Sequence, residues 1–211
     1  MNAKVLPRVV VAVLAVMVGL YPAYYFVVRS DTPGILQTKA AGLVASGFYR
    51  GAFYSHILFG GVALLIGWMQ FSKKLRARRL GLHRVIGKMY MVAVAISGAA
   101  GLVIALSASG GLVCTLGFGL LAVLWLFTDW QGYRTIRRLE IEKHRGWMVR
   151  NYALAFAAVT LRAYLPLTTQ VLHLPFTPSY QVISWACWVP NLVVAEMLVR
   201  SGRREAGLRP G

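Results

Sequence analysis

Acidic residues are scarce in this sequence: six Asp and Glu stand against 23 Lys and Arg, giving a formal net charge of +17. Only 14% of the residues are charged, whereas soluble globular domains usually carry roughly 25%. Because 58% of the residues are hydrophobic, the composition is typical of a membrane protein. The basic residues do not indicate nucleic-acid binding, since they fall between long apolar runs rather than in an aromatic-interleaved basic segment.

Cysteine is equally rare, and the two present, Cys114 and Cys187, both lie inside apolar runs. This excludes a disulfide framework and a Cys-x-x-Cys redox or metal motif. The sequence also lacks a nucleophile elbow, a phosphate-binding loop, a His-Glu-x-x-His zinc motif and paired hydrolase carboxylates. We therefore expect no hydrolytic or kinase chemistry of the soluble type, and we predict neither a catalytic residue nor a metal site.

Apolar runs long enough to cross a membrane recur six times. About 20 helical residues cross the hydrocarbon core, and the predicted spans cover residues 9–28, 48–71, 82–106, 112–130, 147–165 and 182–199. The first span is longer than the apolar part of a secretory signal peptide and lacks an Ala-x-Ala cleavage site, so we expect it to be retained. With no repeat of fixed period, residues 1–211 are predicted to form one all-α, polytopic membrane helix bundle.

The connections between these spans are alternately rich and poor in Lys and Arg. The N-terminal segment, the loop after residue 71, the loop of residues 134–150 and the C-terminal tail are basic, whereas the other three connections hold few charges. Because cytoplasmic loops carry the excess of Lys and Arg, both termini are expected on the cytoplasmic side of a bacterial inner membrane. The basic rim also predicts contact with anionic phospholipid headgroups; no protein partner is identified.

His56 lies inside the second predicted span, and Gly60 and Gln70 share its helical face. A polar side chain at such depth is costly unless it faces the bundle interior or a wet cavity, so it predicts a binding site. The alternative is a histidine that only hydrogen-bonds to a neighbouring helix for packing.

His83 and His144 open the third and fifth predicted spans on the same side, each followed by arginine. Two neutral imidazoles from different helices can ligate a haem iron axially, and Gly87, one turn beyond His83, would leave room for the flat macrocycle. The alternative is a polar anchor in which both histidines bind lipid phosphate beside the neighbouring arginines. The cofactor hypothesis is therefore haem b. A quinone is the alternative ligand of this histidine-lined site.

Charged residues within the spans need partners. Arg162 either snorkels to the interface or pairs with a partner or an anionic ligand. Asp129 and Glu196 are the intramembrane acids, and Arg150 or Arg84 is expected to pair with them. The predicted intramembrane polar site comprises Gln70, Tyr90, Arg162, Asn191 and Glu196.

Several short motifs form an ordered set along the chain. They are His56-x3-Gly60 with Gln70-Phe71; Leu75-Arg76-x-Arg78 before His83-Arg84-x2-Gly87-x2-Tyr90; His144-Arg145-x-Trp147-Met148-x-Arg150-x-Tyr152; Thr160-Leu161-Arg162; and Cys187-Trp188-Val189-Pro190-Asn191 with Glu196. The set resembles the predicted bacterial membrane proteins grouped as domain of unknown function 2306, over roughly residues 54–200. The resemblance implies fold and location but no activity. Trp68-Met69 replaces an expected Gly-Pro pair, which predicts a more regular second helix.

The chain is also weakly similar to b-type cytochromes with four-helix haem-binding cores, which implies haem ligation by histidine pairs. Only His56 and His173 fall on the outer side, so a second bis-histidine haem is not expected. The first functional hypothesis is thus an intramembrane haem or quinone site for electron transfer that uses His56, His83 and His144. The alternatives are a small transporter or lipid-binding protein with Arg162, Asn191 and Glu196 in its cavity, and a non-catalytic subunit of a membrane complex.

Overall fold

The computed structural model describes residues 6–27 and 34–205, and within these ranges the regular secondary structure is entirely helical. The α-helices are α1 (Leu6–Leu20), α2 (Pro22–Val27), α3 (Ala41–Ala45), α4 (Gly47–Gly67), α5 (Lys73–Arg78), α6 (Leu80–Ala105), α7 (Leu112–Arg137), α8 (Ile141–Ala155), α9 (Ala157–Pro166), α10 (Phe176–Ala186) and α11 (Val189–Glu205). Shorter helical turns are formed by Gly34–Thr38, Trp68–Phe71 and Leu167–Val171. The predicted all-α class is confirmed for the described residues.

Four helical segments are long and apolar enough to cross a membrane: Gly47–Phe71, Leu80–Ala105, Leu112–Arg137 and Phe176–Gly202. They correspond to the second, third, fourth and sixth predicted spans. The first predicted span contains a shorter apolar helix, Val9–Tyr25, and its last residue, 28, lies outside the described ranges. The fifth predicted span falls on α8 and α9, which follow one another with only Phe156 between them.

Proline positions explain two of the helix breaks. Pro22 is the first residue of α2 and Pro190 is the second residue of α11. Because proline has no backbone N–H to donate, it is tolerated in the first helical turn, where that donor has no partner within the helix. The first and last apolar runs are therefore each divided into two helices.

The prediction of a more regular helix around Trp68 is wrong. The α-helical part of α4 ends at Gly67, and Trp68–Phe71 form a tighter 3₁₀ turn. Carbonyl groups at a helix end lack partners within the helix, and here the Arg76 Nη1 donates to the carbonyl oxygen of Gln70 at 2.8 Å. This contact ties the end of α4 to α5.

Glycine allows the closest approaches between helices. A Cβ at Gly67 would lie 2.5 Å from the ring of Tyr152 and 2.6 Å from that of Tyr90, and a Cβ at Gly61 would lie 2.7 Å from the carbonyl oxygen of Gly19. Small residues at such crossings let membrane helices pack closely. They bring α4 against α1, α6 and α8.

The two ends of the bundle differ in charge. At one end, Arg76 of α5 interacts electrostatically with Arg145 of α8, so the basic connections after α4 and before α8 meet there. We call this end the basic half. At the other end, the hydroxyl groups of Thr38 and Ser109 lie 2.8 Å apart and join the connections before α4 and after α6. We call that end the cavity half.

Apolar side chains cover the outside of the bundle. Val92, Val123 and Val194 are 57%, 49% and 55% exposed, respectively. Exposed apolar surface of this kind is a liability in water but is the natural contact surface for lipid tails. Together with the four long apolar segments, it indicates a multi-pass membrane protein.

Candidate functional site

A cavity of about 490 Å³ opens in the cavity half. Most of its lining is apolar, which is typical of sites for small amphiphilic ligands. The polar lining residues include Tyr21, Tyr25, Thr38, Lys39, Tyr49, His56, Ser97, Arg162 and Tyr180. Two of these side chains are cations, and none of the described lining residues is Asp or Glu. The described lining of the cavity is therefore positively charged.

His56 faces this cavity from α4 and is held against α6. Its Nδ1 lies 2.9 Å from the carbonyl oxygen of Ser97, to which it donates. The Ser97 hydroxyl donates in return to the carbonyl oxygen of His56 at 2.8 Å. With its proton on Nδ1, the neutral imidazole keeps an acceptor lone pair on Nε2. Gly101 leaves room for the ring, because a Cβ there would lie 3.1 Å from Nδ1.

Arg162 reaches the same cavity from α9. Its Nη1 donates to the carbonyl oxygen of Ala158 at 3.0 Å, and its Cζ lies 4.6 Å from the ring centroid of Tyr21. Its Nε is buried and has no hydrogen-bond partner among the described residues. The phenols of Tyr25 and Tyr180 are close enough to interact electrostatically with the guanidinium group.

These contacts only partly compensate the buried charge of Arg162. A cation–π contact contributes roughly 0.5–2 kcal/mol, whereas removing an ion from water costs several kcal/mol unless a counter-charge is present. No acid lines the cavity in the described part of the chain. Among the described residues, Arg162 is therefore a cation without a counter-charge, and its buried Nε–H has no acceptor.

Lys39 lies at the cavity wall outside the predicted spans. Its Nζ donates to the carbonyl oxygen of Ser107. Burial lowers the pKa of this amine below its usual value. Lys39 therefore adds a second positive charge to the cavity, but one that is lost at a lower pH than for an exposed lysine.

A second group of predicted site residues meets in the basic half. His83 and His144 are close enough to interact electrostatically. The Nδ1 of His144 donates to the carbonyl oxygen of Gly132 at 2.8 Å, which leaves Nε2 as the acceptor nitrogen. The Nδ1 of His83 and the side-chain Nε2 of Gln70 are buried and have no partner within the described residues. A Cβ at Gly87 would lie 3.5 Å from the Gln70 Oε1, so Gly87 belongs to this group.

The predicted site residues are thus divided between the two halves. His56, Gly60 and Arg162 line the cavity. The group in the basic half comprises Gln70, His83, Gly87 and His144. The structure does not bring all three histidines together.

The other predicted site residues bind neighbouring helices. The Tyr90 hydroxyl donates to the Asn151 Oδ1 at 2.6 Å. The Asn191 Nδ2 donates to the Thr160 hydroxyl at 3.0 Å and to the carbonyl oxygens of Ala153 and Cys187 at 3.3 and 2.9 Å. These bonds occupy the polar atoms in helix contacts.

Glu196 has the partner that the sequence predicts. The Arg150 Nε donates to the Glu196 Oε2 at 2.9 Å, and the Arg200 Nε donates to Oε1 at 3.0 Å. Of the two predicted partners, Arg150 and Arg84, it is Arg150 that pairs with Glu196. Asp129 has no ion-pair partner within the described ranges.

Sequence reasoning missed two groups in the cavity. Ser97, whose carbonyl oxygen fixes the tautomer of His56, is followed by Gly98 on α6. A small polar residue next to glycine within a span is the sequence signal that could have indicated this helix contact. Tyrosines near span ends are normally interpreted as an interfacial belt. The sequence therefore did not predict that Tyr21 and Tyr180 lie near Arg162. No cluster of three or more His, Cys, Asp or Glu that could hold a metal occurs in the described residues.

A family model described as Predicted membrane protein (DUF2306) matches residues 53–199. The chain belongs to the DUF2306 family. The DUF2306 match includes His56, His83, His144 and Arg162, whereas Lys39 and the helices α1 and α2 precede it. No curated protein and no solved structure matches the chain.

Proposed function

We propose that this protein binds an amphiphile within a bacterial inner membrane. The apolar body of the ligand occupies the cavity, and an acceptor oxygen of its head, a carboxylate or a quinone carbonyl, lies at Arg162. The observation that carries the proposal is the buried Nε of Arg162, which has no partner within the described residues. It lies beside a cavity whose described lining contains no Asp or Glu.

The chemistry of the two polar side chains supports this head group. An oxygen that accepts the Arg162 Nε–H would satisfy the unused donor, and an anionic oxygen would also neutralise the charge. His56 offers a hydrogen-bond acceptor instead of a donor, because its Nε2 can accept a hydrogen bond from the hydroxyl of a protonated acid or a quinol. Arg162 and His56 together can therefore bind either a carboxylate lipid or a quinone.

Retention of the ligand tests the proposal. Wild-type protein and Arg162→Gln would be purified in lipid nanodiscs, and the bound acidic lipids and quinones would be extracted and quantified by mass spectrometry. A charge-assisted hydrogen bond contributes about 1.5–3 kcal/mol, so the variant should retain roughly ten- to hundredfold less ligand. Which molecule is retained distinguishes a carboxylate lipid from a quinone.

Arg200→Gln is the matched control, because Arg200 is an exposed cation that binds Glu196 and does not line the cavity. It should retain as much ligand as the wild type. Equal retention by the wild type and Arg162→Gln would contradict the proposal, as would wild-type protein with no bound amphiphile. Flux of the retained molecule into liposomes would show the alternative activity, transport.

A second candidate function is haem binding between His83 and His144. The Nδ1 of His144 donates to the carbonyl oxygen of Gly132, which is the arrangement that orients metal-ligating histidines. His83 lies close to it, and the Nδ1 of His83 has no partner among the described residues. When bound, haem would supply one-electron redox chemistry. A Soret band that is lost in His83→Ala and His144→Ala but kept in His173→Ala would support it; a colourless wild type would contradict it.

We also propose that six segments cross the membrane, with α1–α2 and α8–α9 as the first and fifth, and that both termini are cytoplasmic. The alternation of basic and charge-poor connections supports this orientation, and anionic headgroups would then contact the basic half. Reporter fusions after residues 40, 110 and 205 provide the test. Periplasmic activity at 40 and 110 and cytoplasmic activity at 205 are expected, and any other pattern overturns the topology.

A further inference from the structure

Two of the phenol groups that line the cavity have no hydrogen-bond partner among the described residues. The hydroxyl group of Tyr25 hydrogen-bonds to the backbone of Ile35 and to the phenol of Tyr21. The hydroxyl groups of Tyr49 and Tyr180 make no such bond within the described ranges, although the two residues line the cavity and are only 4% and 9% exposed. Because a buried hydroxyl group without a partner is costly, each is a donor available to a ligand.

Tyr180 lies at the centre of the polar groups of the cavity. Its phenol is close enough to interact electrostatically with the Arg162 guanidinium on α9 and with the Tyr49 phenol on α4. Its ring packs between two others, with centroids 5.3 Å from that of Phe118 and 5.0 Å from that of Phe176. Ring packing therefore fixes the position of the Tyr180 hydroxyl group before a ligand binds, which lowers the entropic cost of binding.

Three donors around Tyr180 have no acceptor among the described residues: the Nε–H of Arg162 and the hydroxyl groups of Tyr49 and Tyr180 itself. A carboxylate has two oxygens with about four lone-pair sites, so it can accept from all three and also neutralise the guanidinium group. A quinone carbonyl is one uncharged oxygen with two lone pairs. It would leave one donor unsatisfied and the charge of Arg162 uncompensated, so the donors favour the carboxylate.

We propose that the head group in the cavity is the carboxylate of a long-chain carboxylic acid, and that Tyr49 and Tyr180 bind it together with Arg162. One oxygen accepts from the Arg162 Nε–H and the other from the Tyr180 hydroxyl group, while Tyr49 donates to a remaining lone pair. The apolar lining receives the hydrocarbon chain. This inference rests on the proposed ligand-binding function and narrows it, because it selects a carboxylate over a quinone and assigns two further binding residues.

Direct binding of three probes to ligand-free protein in lipid nanodiscs tests the inference. Radiolabelled palmitate, hexadecanol and a decyl-chain ubiquinone would be titrated at mildly alkaline pH, and uptake by empty nanodiscs would be subtracted. The wild type should bind palmitate about tenfold more tightly than hexadecanol, which has the same chain but no charge, because hydrogen bonds to ionised groups are the stronger ones. The ubiquinone should bind no more tightly than hexadecanol.

Removal of single hydroxyl groups identifies the binding residues. Tyr180→Phe and Tyr49→Phe should each reduce the affinity for palmitate by about tenfold and the affinity for hexadecanol by less. Neither should lower the temperature at which the ligand-free protein unfolds, because these hydroxyl groups bind no described residue. Tyr133→Phe is the matched control, since Tyr133 is 44% exposed and does not line the cavity; it should bind palmitate like the wild type.

The possible outcomes separate this inference from the function on which it rests. Ubiquinone binding that is tighter than palmitate binding and is lost in Arg162→Gln would overturn the carboxylate assignment and leave the proposed function intact. Palmitate binding that depends on Arg162 but survives both tyrosine substitutions would overturn the role of Tyr49 and Tyr180. A lower unfolding temperature of ligand-free Tyr180→Phe would do the same, since the hydroxyl group would then stabilise the fold itself. Wild-type protein that binds none of the three probes would overturn both proposals.

Discussion

Asn151 in the basic half and Arg162 in the cavity half are buried polar side chains that differ in how many of their hydrogen-bonding groups have partners. In the basic half, Asn151 is fully buried and binds Tyr90, Thr128 and a helix carbonyl, at distances of 2.6 to 2.9 Å. In the cavity half, the buried Nε–H of Arg162 has no partner among the described residues and lies beside a cavity of about 490 Å³. The comparison indicates that Asn151 holds helices together, whereas Arg162 keeps a buried donor that can contact a ligand.

Aromatic contacts stabilise the cavity half instead. The rings of Tyr25 and Phe53 lie 5.4 Å apart, and those of Phe176 and Tyr180 lie 5.0 Å apart. Each such pair contributes about 0.5–1.5 kcal/mol beyond the area it buries. Removal of a polar group there should therefore cost less stability than in the basic half.

Asn151→Leu should have the largest effect on stability. It removes three hydrogen bonds and leaves the Tyr90 hydroxyl without its acceptor; such an unsatisfied buried group costs about 1–3 kcal/mol. Since hydrogen bonds between membrane helices contribute about 0.6 kcal/mol each on average, we expect a total loss of about 2–4 kcal/mol in the free energy of unfolding. Thermal and denaturant unfolding in detergent measure it.

Ser97→Ala is the counterpart in the cavity half. Ser97 is also fully buried, but its hydroxyl donates a single hydrogen bond, to the carbonyl oxygen of His56 on α4, so its loss should cost less than about 1 kcal/mol. Equal losses for Ser97→Ala and Asn151→Leu would break the comparison between the halves.

Gly67→Ala should be the next most destabilising change. Its Cβ would lie 2.5 to 2.7 Å from the rings of Tyr152 and Tyr90, so both aromatic residues would have to shift. Overpacking of this kind costs about 1–3 kcal/mol. Gly119→Ala is the control, because a Cβ there meets nothing within 4 Å. If both variants unfolded at the same temperature, the close packing of the basic half would be refuted.

The long helices could be predicted from the sequence because span length follows directly from the thickness of the hydrocarbon core. The Arg150–Glu196 pair could be predicted for a related reason: a charge within a span needs a partner, and few were available. The change from α-helix to a 3₁₀ turn at Trp68 could not be predicted. It is accompanied by the contact between Arg76 and the carbonyl oxygen of Gln70, which forms only when α5 folds back.

The cavity could not be predicted, because its volume depends on how helices distant in the chain are placed. Arg162 meets Tyr21 only because α1 packs on α4, where Gly19 and Gly61 approach closely. Neither local propensity nor the spacing of polar residues contains this information. For the same reason, the three histidines that the sequence assigns to one site lie in two places, with His56 in the cavity half and His83 and His144 in the basic half.

Gly101→Ala should affect ligand binding more than stability. Its Cβ would lie 3.1 Å from the Nδ1 of His56 and 3.3 Å from the Cε1, so the imidazole must move by a few tenths of an ångström. We expect a loss of stability below about 1 kcal/mol and, given the proposed ligand site, a decrease in ligand affinity of about tenfold. Gly51→Ala, where a Cβ meets nothing within 4 Å, should change neither quantity. Unchanged affinity in Gly101→Ala would place the ligand away from His56.

The smallest expected effect is a pH dependence that originates at Lys39. Because burial lowers the pKa of Lys39 below the usual 10.5, the folded protein releases this proton at a pH where the unfolded chain still binds it. Deprotonation therefore favours the folded state, and the contribution of Lys39 to stability rises with pH between the lowered pKa and 10.5. In the same interval the cavity loses one of its two cations. Retention of a carboxylate ligand should consequently weaken while the fold does not.

Binding titrations in nanodiscs from neutral pH upward measure this dependence. A partly exposed charge contributes about 0.2–1 kcal/mol, so affinity should fall by about two- to fivefold. Lys39→Arg keeps its charge throughout the interval because the pKa of arginine exceeds about 12, and it should show a flat profile. Lys39→Met should bind at the weaker level at every pH. Parallel profiles for the wild type and Lys39→Arg would mean that the charge of Lys39 does not reach the ligand, and Arg162 alone would then supply the positive charge of the cavity half.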